Sequence, residues 1–194
     1  MRPILICIAL TGALVSPALA HTGVGQTNSF ASGIAHPLQG VDHILAMLAV
    51  GMWGVLAGGR AIWVWPMAFV ATMLAGFTAA TFGLQMPFVE PAIWSSIIIL
   101  GLFVALAVKA PVWLGAAMTG LFAFFHGHVH GTEATAASLI PYAAGFALAT
   151  AGLHASGIGL GLFAERLGRE DRLTRHGRTH SVGRTSFDCM LRLR

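Results

Sequence analysis

One apolar stretch decides the fold class of this chain: residues 41–58 read VDHILAMLAVGMWGVLAG, and Asp42 is their only charged residue. The stretch is close to the roughly 20 residues that a helix needs to cross about 30 Å of hydrocarbon. Outward from it, the sequence contains four more apolar segments: Ala61–Gly83, Pro91–Val108, Pro111 to about His126, and a segment within Ala134–Ala164. The sequence therefore predicts an all-α, polytopic helical membrane protein with about five transmembrane helices.

The composition supports a membrane protein and argues against a soluble one. Of the 194 residues, 56% are hydrophobic and 9% are charged, whereas soluble domains carry about 25% charged residues. Twelve of the 18 charged residues (Lys+Arg 11, Asp+Glu 7) lie between Glu165 and Arg194, so the net charge of +4 describes a tail and does not indicate nucleic-acid binding. Cys7 and Cys189 are too few for a disulfide framework or a thiolate metal cluster.

The first 20 residues are typical of a cleavable signal peptide, with an uncleaved first span as the alternative. Arg2 supplies the positive n-region, residues 4–15 are largely apolar, and Ala18-Leu19-Ala20 matches the small-x-small cleavage pattern. Cleavage would leave His21 at the mature N-terminus, where an α-amine and an imidazole together could chelate a metal. We expect a signal peptide at 1–20, a transmembrane domain at 21–168 and a polar, Arg-rich tail at 169–194.

The Lys and Arg residues between the segments predict the orientation of the chain. Arg60 follows the first segment, Lys109 follows the third, and the Arg-rich tail follows the fifth. The loops after the second and fourth segments contain no Lys or Arg. Because cytoplasmic loops carry the excess of these residues, the mature N-terminus is predicted to lie in the periplasm.

Three carboxylates and two histidine-rich blocks are the candidate functional residues. Asp42, Glu90 and Glu133 lie in or beside the predicted spans, where charged side chains are costly and usually functional. The blocks read HPLQGVDH at 36–43 and HGHVHGTE at 126–133. The predicted topology places all of these residues at the same face of the membrane. Uncharged imidazole and carboxylate suit borderline divalent metals such as Ni, Co and Zn, so the pattern predicts a metal site.

Helical spacing ranks the histidines of the second block. His130 lies one turn from His126 and one turn from Glu133, so one ion could bridge either pair. His128 lies off this face and is a weaker candidate. His154 lies nearer the other end of the fifth segment, where it is either a second station for the ion or a partner in a helix–helix hydrogen bond.

The first block poses a geometric problem. On a regular helix, His36 and His43 would be roughly 10 Å apart and could not share one small ion. Either Gly40 and Pro37 break the helix, or His36 serves a separate coordination shell. Pro37 also suits the start of a helix. The glycines of the first two segments, such as Gly51, are expected to let helices approach closely.

The two blocks closely resemble the signature of the HupE/UreJ family. The resemblance runs through His36–Gly51, Phe125–Glu133, Tyr142–Thr150 and Leu153-His154. It covers about His21 to Gly168, whereas family members usually end in another apolar span that the polar residues 169–194 do not provide. The Asp-His pair also looks like the His-x4-Asp-His element of the nickel/cobalt permeases, although the spacing here is His-x5-Asp-His.

The resemblance implies a permease of the bacterial inner membrane that moves nickel, or cobalt, into the cytoplasm for hydrogenase or urease maturation. The chain would then not be an enzyme, the metal ion would be its transported substrate, no resident cofactor is expected, and a homo-oligomer is left open. No Gly-x4-Gly-Lys-Ser/Thr loop is present, so transport would be passive or secondary, or driven by a separate subunit. The expected ion-binding residues are His36, Asp42, His43, Glu90, His130 and Glu133, with His21, His126, His128 and His154 as weaker candidates.

Two alternatives from other classes remain. A membrane-bound nickel-binding or assembly protein would bind the ion tightly without moving it. An intramembrane metal-dependent hydrolase would need an open water position on the metal. The sequence contains no His-Glu-x-x-His motif that would favour the hydrolase.

Overall fold

A computed structural model describes residues 30–134 and 139–191, with side chains as far as Arg169. The signal peptide predicted at 1–20 and the candidate ligand His21 lie outside the described residues. The described residues form helices joined by short loops, with no strand among them. The helices are α1 (Phe30–Gln39), α2 (Val41–Ala57), α3 (Ala61–Thr81), α4 (Val89–Ala105), α5 (Val112–Glu133) and α6 (Leu139–Leu191).

The apolar helices confirm the all-helical, membrane-type class. Within the described ranges, three helices are long and apolar enough to cross a membrane alone, at Ala61–Thr81, Val112–Glu133 and Leu139–Arg169. Helices α1 and α2 pass the same criterion as one bent pair, and α4 is a shorter apolar helix of 17 residues. Each of the five predicted segments thus contains a helix, while the count of five spans stays a prediction.

The first block is broken at Gly40, which decides between the two readings of its spacing. Helices α1 and α2 meet at an angle of 85°. Gly40 lies between them in an extended conformation, with φ −95° and ψ 115°. Pro37 lies inside α1, so the idea that it starts a helix is wrong. The helix α1 itself was not predicted from the sequence, because its ten residues are too few to register as a span.

Helix α6 is continuous where the sequence allowed a break. No interruption occurs between Leu139 and Leu191, although the apolar part contains six glycines. The apolar part, Leu139–Arg169, has 31 residues and is therefore about 46 Å long at a rise of 1.5 Å per residue. This length exceeds the roughly 30 Å of bilayer hydrocarbon, so the helix must tilt or project beyond it.

Glycines bring the helices into two closely packed, parallel pairs. A Cβ on Gly127 would overlap the Met73 carbonyl oxygen, and one on Gly131 would overlap the Phe77 carbonyl oxygen. Residue numbers rise together along both helices, so α3 and α5 run parallel. In the same way, α2 and α6 approach through Gly51 and Gly157 and run parallel. Small residues at these crossings permit close backbone contact, the main source of helix association in lipid.

Two indole rings close the opposite end of the bundle from the histidine blocks. Trp53 and Trp65 are fully buried, and their ring centroids lie 4.1 Å apart. Trp53 Nε1 donates to the Val108 carbonyl oxygen at 2.7 Å, and Trp65 Nε1 donates to the Val112 carbonyl oxygen at 2.8 Å. These bonds give each buried indole N–H group an acceptor, and they tie α2 and α3 to the loop before α5 and to the first residue of α5.

Candidate metal site

The break at Gly40 brings both ends of the first block to the same place. Because α1 turns away at 85°, the ring centroid of His36 lies 6.4 Å from that of His43, well within the roughly 10 Å of an unbroken helix. The ring of His130, at the end of α5, lies 4.4 Å from His36 and 4.6 Å from His43. Three histidines from three helices therefore form one cluster.

Asp42 and His43 begin a chain of hydrogen bonds that fixes which ring nitrogens carry protons. His43 Nδ1 lies 2.9 Å from Asp42 Oδ1, and since a carboxylate only accepts, Nδ1 donates. The neutral His43 ring then presents a lone pair on Nε2. This atom lies 2.5 Å from His130 Nε2, which is therefore the donor. The neutral His130 ring keeps its lone pair on Nδ1.

That lone pair points into a group of three potential ligands, which we call the ligand trio: His36, His130 and Glu133. His130 Nδ1 and His36 Nε2 lie 3.5 Å and 3.9 Å from Glu133 Oε2. One ligand atom from each residue lies within 4.8 Å of the other two. Ligands of one ion bonded at about 2.0–2.1 Å are about 3–3.5 Å apart, so small side-chain adjustments would bring all three to bonding distance.

His126 extends the cluster one turn deeper into the bundle. Its ring centroid lies 4.9 Å from that of His43. Its Nε2 atom lies 3.0 Å from Ser96 Oγ, whose own hydrogen is directed to the Ile93 carbonyl oxygen at 2.6 Å. The hydroxyl therefore accepts from His126 Nε2, and the lone pair of the neutral ring lies on Nδ1. This Nδ1 atom is buried without a hydrogen-bond partner among the described residues.

Three histidines of the cluster are buried, whereas the His36 and Glu133 side chains are 23% and 31% exposed, and aromatic side chains pack around the cluster. His43, His126 and His130 are 3%, 0% and 1% exposed. Phe146 on α6 lies edge-on to His130 with ring centroids 4.7 Å apart. The ring centroid of Tyr142 lies 6.1 Å from that of His36. Buried polar rings are stable only when they are hydrogen-bonded or bind an ion. The hydrogen bonds that begin at Asp42 meet this need for His43 and for one nitrogen of His130.

Close packing of α1 against α6 holds His36 in place. A Cβ on Gly33 would overlap the Tyr142 carbonyl oxygen, and one on Gly145 would overlap the Phe30 carbonyl oxygen. Gly40 has a comparable role at the break, because a Cβ there would lie 2.6 Å from Asp42 Oδ1 and 2.9 Å from His43 Nδ1. Gly33 and Gly145 thus allow the helix contact that positions His36, and Gly40 leaves space for the side chains of Asp42 and His43.

Three predicted residues lie apart from this cluster. Glu90 is exposed in the first turn of α4, and no hydrogen bond or ion pair among the described residues joins it to the histidines. His128 donates from Nε2 to the Leu84 carbonyl oxygen at 2.7 Å and ties α5 to the loop after α3. His154 is buried on α6 and bonds from Nδ1 to the Met47 carbonyl oxygen at 2.8 Å. Their roles in ion binding stay predictions.

Two residues that contribute to the site were not predicted from the sequence. Ser95 and Ser96 are the two hydroxyls of an otherwise apolar segment, which was a signal, but only the packing of α4 shows that Ser96 is the buried one. Tyr142 is fully buried beside His36, and it is the only tyrosine of the chain. Its position could not be foreseen because it depends on how α1 packs against α6.

The fold and the cluster define a helical protein of the membrane type, with imidazoles and carboxylates held between its helices. The chain belongs to the HupE/UreJ family: the family model described as HupE / UreJ protein matches residues 8–183, which extends past Gly168 into the polar segment. Members of this family are generally nickel or cobalt transporters. The Protein HupE of Rhizobium leguminosarum bv. viciae is 46% identical over 150 residues, covering 76% of this chain and 78% of that protein. No solved structure matches the chain.

Proposed function

We propose that the chain is a nickel permease of the bacterial inner membrane, which moves Ni²⁺, with Co²⁺ as the alternative ion, into the cytoplasm for hydrogenase or urease maturation. The observation that carries the proposal is the ligand trio. Two consecutive hydrogen bonds, from Asp42 to His43 and from His43 to His130, support it. The name of the rhizobial relative, Protein HupE, supports the same assignment.

The ligand chemistry suits a borderline transition-metal dication. His130 and His36 contribute imidazole nitrogens, which favour Ni²⁺ and Co²⁺ over Mg²⁺ and Ca²⁺. Glu133 contributes negative charge, and Asp42 places a second carboxylate behind His43. A dication that moved inward from this partly buried site without a counter-charge would be unpaired in a medium of lower dielectric constant, at a cost of several kcal/mol.

The incompleteness of the trio suits transport better than storage. Three protein ligands leave further coordination positions to water or to neighbours such as His126. An ion held by a partial shell exchanges readily, whereas a full shell of strong ligands would retain it. This distinction favours a permease over the nickel-binding or assembly protein considered from the sequence.

The direction of movement follows from the predicted topology. The trio lies where α5 ends and α2 begins, which the distribution of Arg60, Lys109 and the tail assigns to the periplasmic face. A mature N-terminus in the periplasm and a multi-pass arrangement in the inner membrane belong to the same proposal. The ion would be captured there, with Glu90 as an exposed carboxylate at the entrance, and would leave between the glycine-packed helices. Transport would be passive or secondary.

The test is radioactive nickel flux into proteoliposomes that contain the purified full-length chain, with and without a pH gradient. We expect uptake by the wild type, loss of uptake for His36→Ala, and retained uptake for His128→Gln, in which the amide still donates to the Leu84 carbonyl. Tight, stoichiometric nickel binding without flux would contradict the permease and support the assembly protein. Comparing Ni²⁺, Co²⁺ and Zn²⁺ in the same vesicles would identify the substrate.

A further inference from the structure

A second buried imidazole lies deeper in the bundle than the ligand trio. His154 on α6 is 1% exposed, and its Nδ1 atom lies 2.8 Å from the Met47 carbonyl oxygen. Because a carbonyl only accepts, Nδ1 carries the proton, and the neutral ring presents a lone pair on Nε2. This Nε2 atom is buried and has no hydrogen-bond partner in the described part of the chain. Buried polar atoms in folded proteins nearly always have a hydrogen-bond partner, so this unpaired acceptor is a candidate ligand for an ion.

His154 is connected to the outer cluster through one aromatic ring. The ring centroid of Phe69 lies 4.9 Å from that of His154 and 5.9 Å from that of His126. All three side chains are fully buried. The ring of Phe69 is therefore all that separates His154 from His126, the innermost histidine of the outer cluster.

A hydroxyl and a thioether lie about one helical turn from His154 along α6. Thr150 lies one turn earlier on α6, and its hydroxyl donates to Met73 Sδ at 3.6 Å. Met73 on α3 and Met47 on α2 are both fully buried. No carboxylate among the described residues forms an ion pair with His154; the ion pairs involve Asp42 and Glu133 alone.

We propose that His154 Nε2, together with the thioether of Met73, forms an inner, uncharged station through which the metal ion passes after the ligand trio. The inference rests on the proposed permease function and adds to it a second binding position with its own ligand set. Imidazole and thioether accept a borderline-to-soft transition metal and reject Mg²⁺ and Ca²⁺. Without a carboxylate, the inner station binds the dication more weakly than the trio does, which favours release toward the cytoplasm.

The simpler alternative is that His154 only links α6 to α2 by its bond to Met47. The variant His154→Asn separates the two roles, because the asparagine amide donates where Nδ1 did and the Nε2 lone pair is gone. If the station exists, nickel flux in proteoliposomes falls at least tenfold, while the amount of folded protein and nickel binding at the trio are unchanged. Flux equal to the wild type would overturn the station and leave the permease assignment intact.

A second comparison applies even if His154→Asn fails to fold. Met73→Leu removes a thioether with little change in volume, and Met118→Leu makes the same change on α5, where Met118 packs at the edge of the core. We expect a several-fold loss of nickel flux for Met73→Leu and none for Met118→Leu. Equal flux in both variants would overturn the participation of sulfur. If the wild-type protein moves no nickel, the proposed permease function is wrong, and the proposal of an inner station is wrong with it.

Discussion

The Nε2 atoms of His43 and His130 lie 2.5 Å apart, although 87 residues separate the two histidines in the chain. This contact joins the start of α2 to the end of α5 and converts two separate sequence blocks into one site. It also transmits the orientation set by Asp42, since the proton on His43 Nδ1 determines that His130 Nε2 donates. We infer that Asp42 orients the ligand trio through two imidazole rings, whereas direct binding of the ion by Asp42 stays a prediction.

Replacing the Asp42 carboxylate should weaken nickel binding without altering the helices. In Asp42→Asn the charge is lost, and the amide group can donate to His43 Nδ1, which favours the opposite tautomer along the whole chain of bonds. Partners of this kind typically contribute 10–100-fold in metal affinity, so we expect nickel uptake to fall about tenfold or more. Nickel-63 uptake by cells measures this, normalised to the amount of protein in the membrane. Wild-type uptake would show that the carboxylate does not orient the ligands.

A methyl group at Gly40 should disturb the site but still allow the bend between helices α1 and α2. The backbone of Gly40, at φ −95° and ψ 115°, is accessible to alanine. The added Cβ would, however, meet Asp42 Oδ1 at 2.6 Å and His43 Nδ1 at 2.9 Å, so this pair must move. We expect Gly40→Ala to lose most of its nickel uptake. The matched control is Gly152→Ala on α6, where a Cβ meets nothing within 4 Å. Equal uptake by the two variants would contradict the role given to Gly40.

Much of the fold could be predicted because hydrophobic length is a strong signal. The predicted segments at 41–58 and 61–83 correspond to α2 (Val41–Ala57) and α3 (Ala61–Thr81) within two residues at each end. The contact between His130 and Glu133 was likewise predictable, since residues three apart on a helix share a face. These features depend on local periodicity, which the sequence contains in full.

Other features depend on packing between helices and could not be read from periodicity. The spacing of His36 and His43 allowed two readings, and only the 85° break at Gly40 decides between them. Glu90 and His128 were grouped with the site because they share a membrane face, yet the direction of each side chain depends on helix rotation. His128 turns instead to the Leu84 carbonyl oxygen.

Neutralising Glu133 should reduce equilibrium nickel binding by the purified protein. The carboxylate is the only charged member of the ligand trio, and its oxygen lies 3.5 Å from His130 Nδ1. We expect Glu133→Gln to raise the Kd for Ni²⁺ at least tenfold, because the dication would lose the only anionic ligand of the trio and keep neutral ligands alone. Calorimetric titration in detergent measures this. Glu90→Gln is the control, since the exposed Glu90 should leave the Kd unchanged; an equal effect of both variants would place Glu90 at the trio.

A methyl group at Gly127 should destabilise the bundle itself. Its Cβ would overlap the backbone carbonyl of Met73, which cannot rotate away as a side chain can. Overpacking of this kind costs about 1–3 kcal/mol, and for a chain of this size each kcal/mol lowers Tm by about 2–4 °C. We therefore expect Gly127→Ala to unfold several degrees below the wild type in a thermal scan of detergent-solubilised protein. Gly101→Ala on α4 is the matched control, because a Cβ there meets nothing within 4 Å and alanine favours the helix. If Gly127→Ala and Gly101→Ala unfold at the same temperature, the close contact between α3 and α5 does not limit the stability of the bundle.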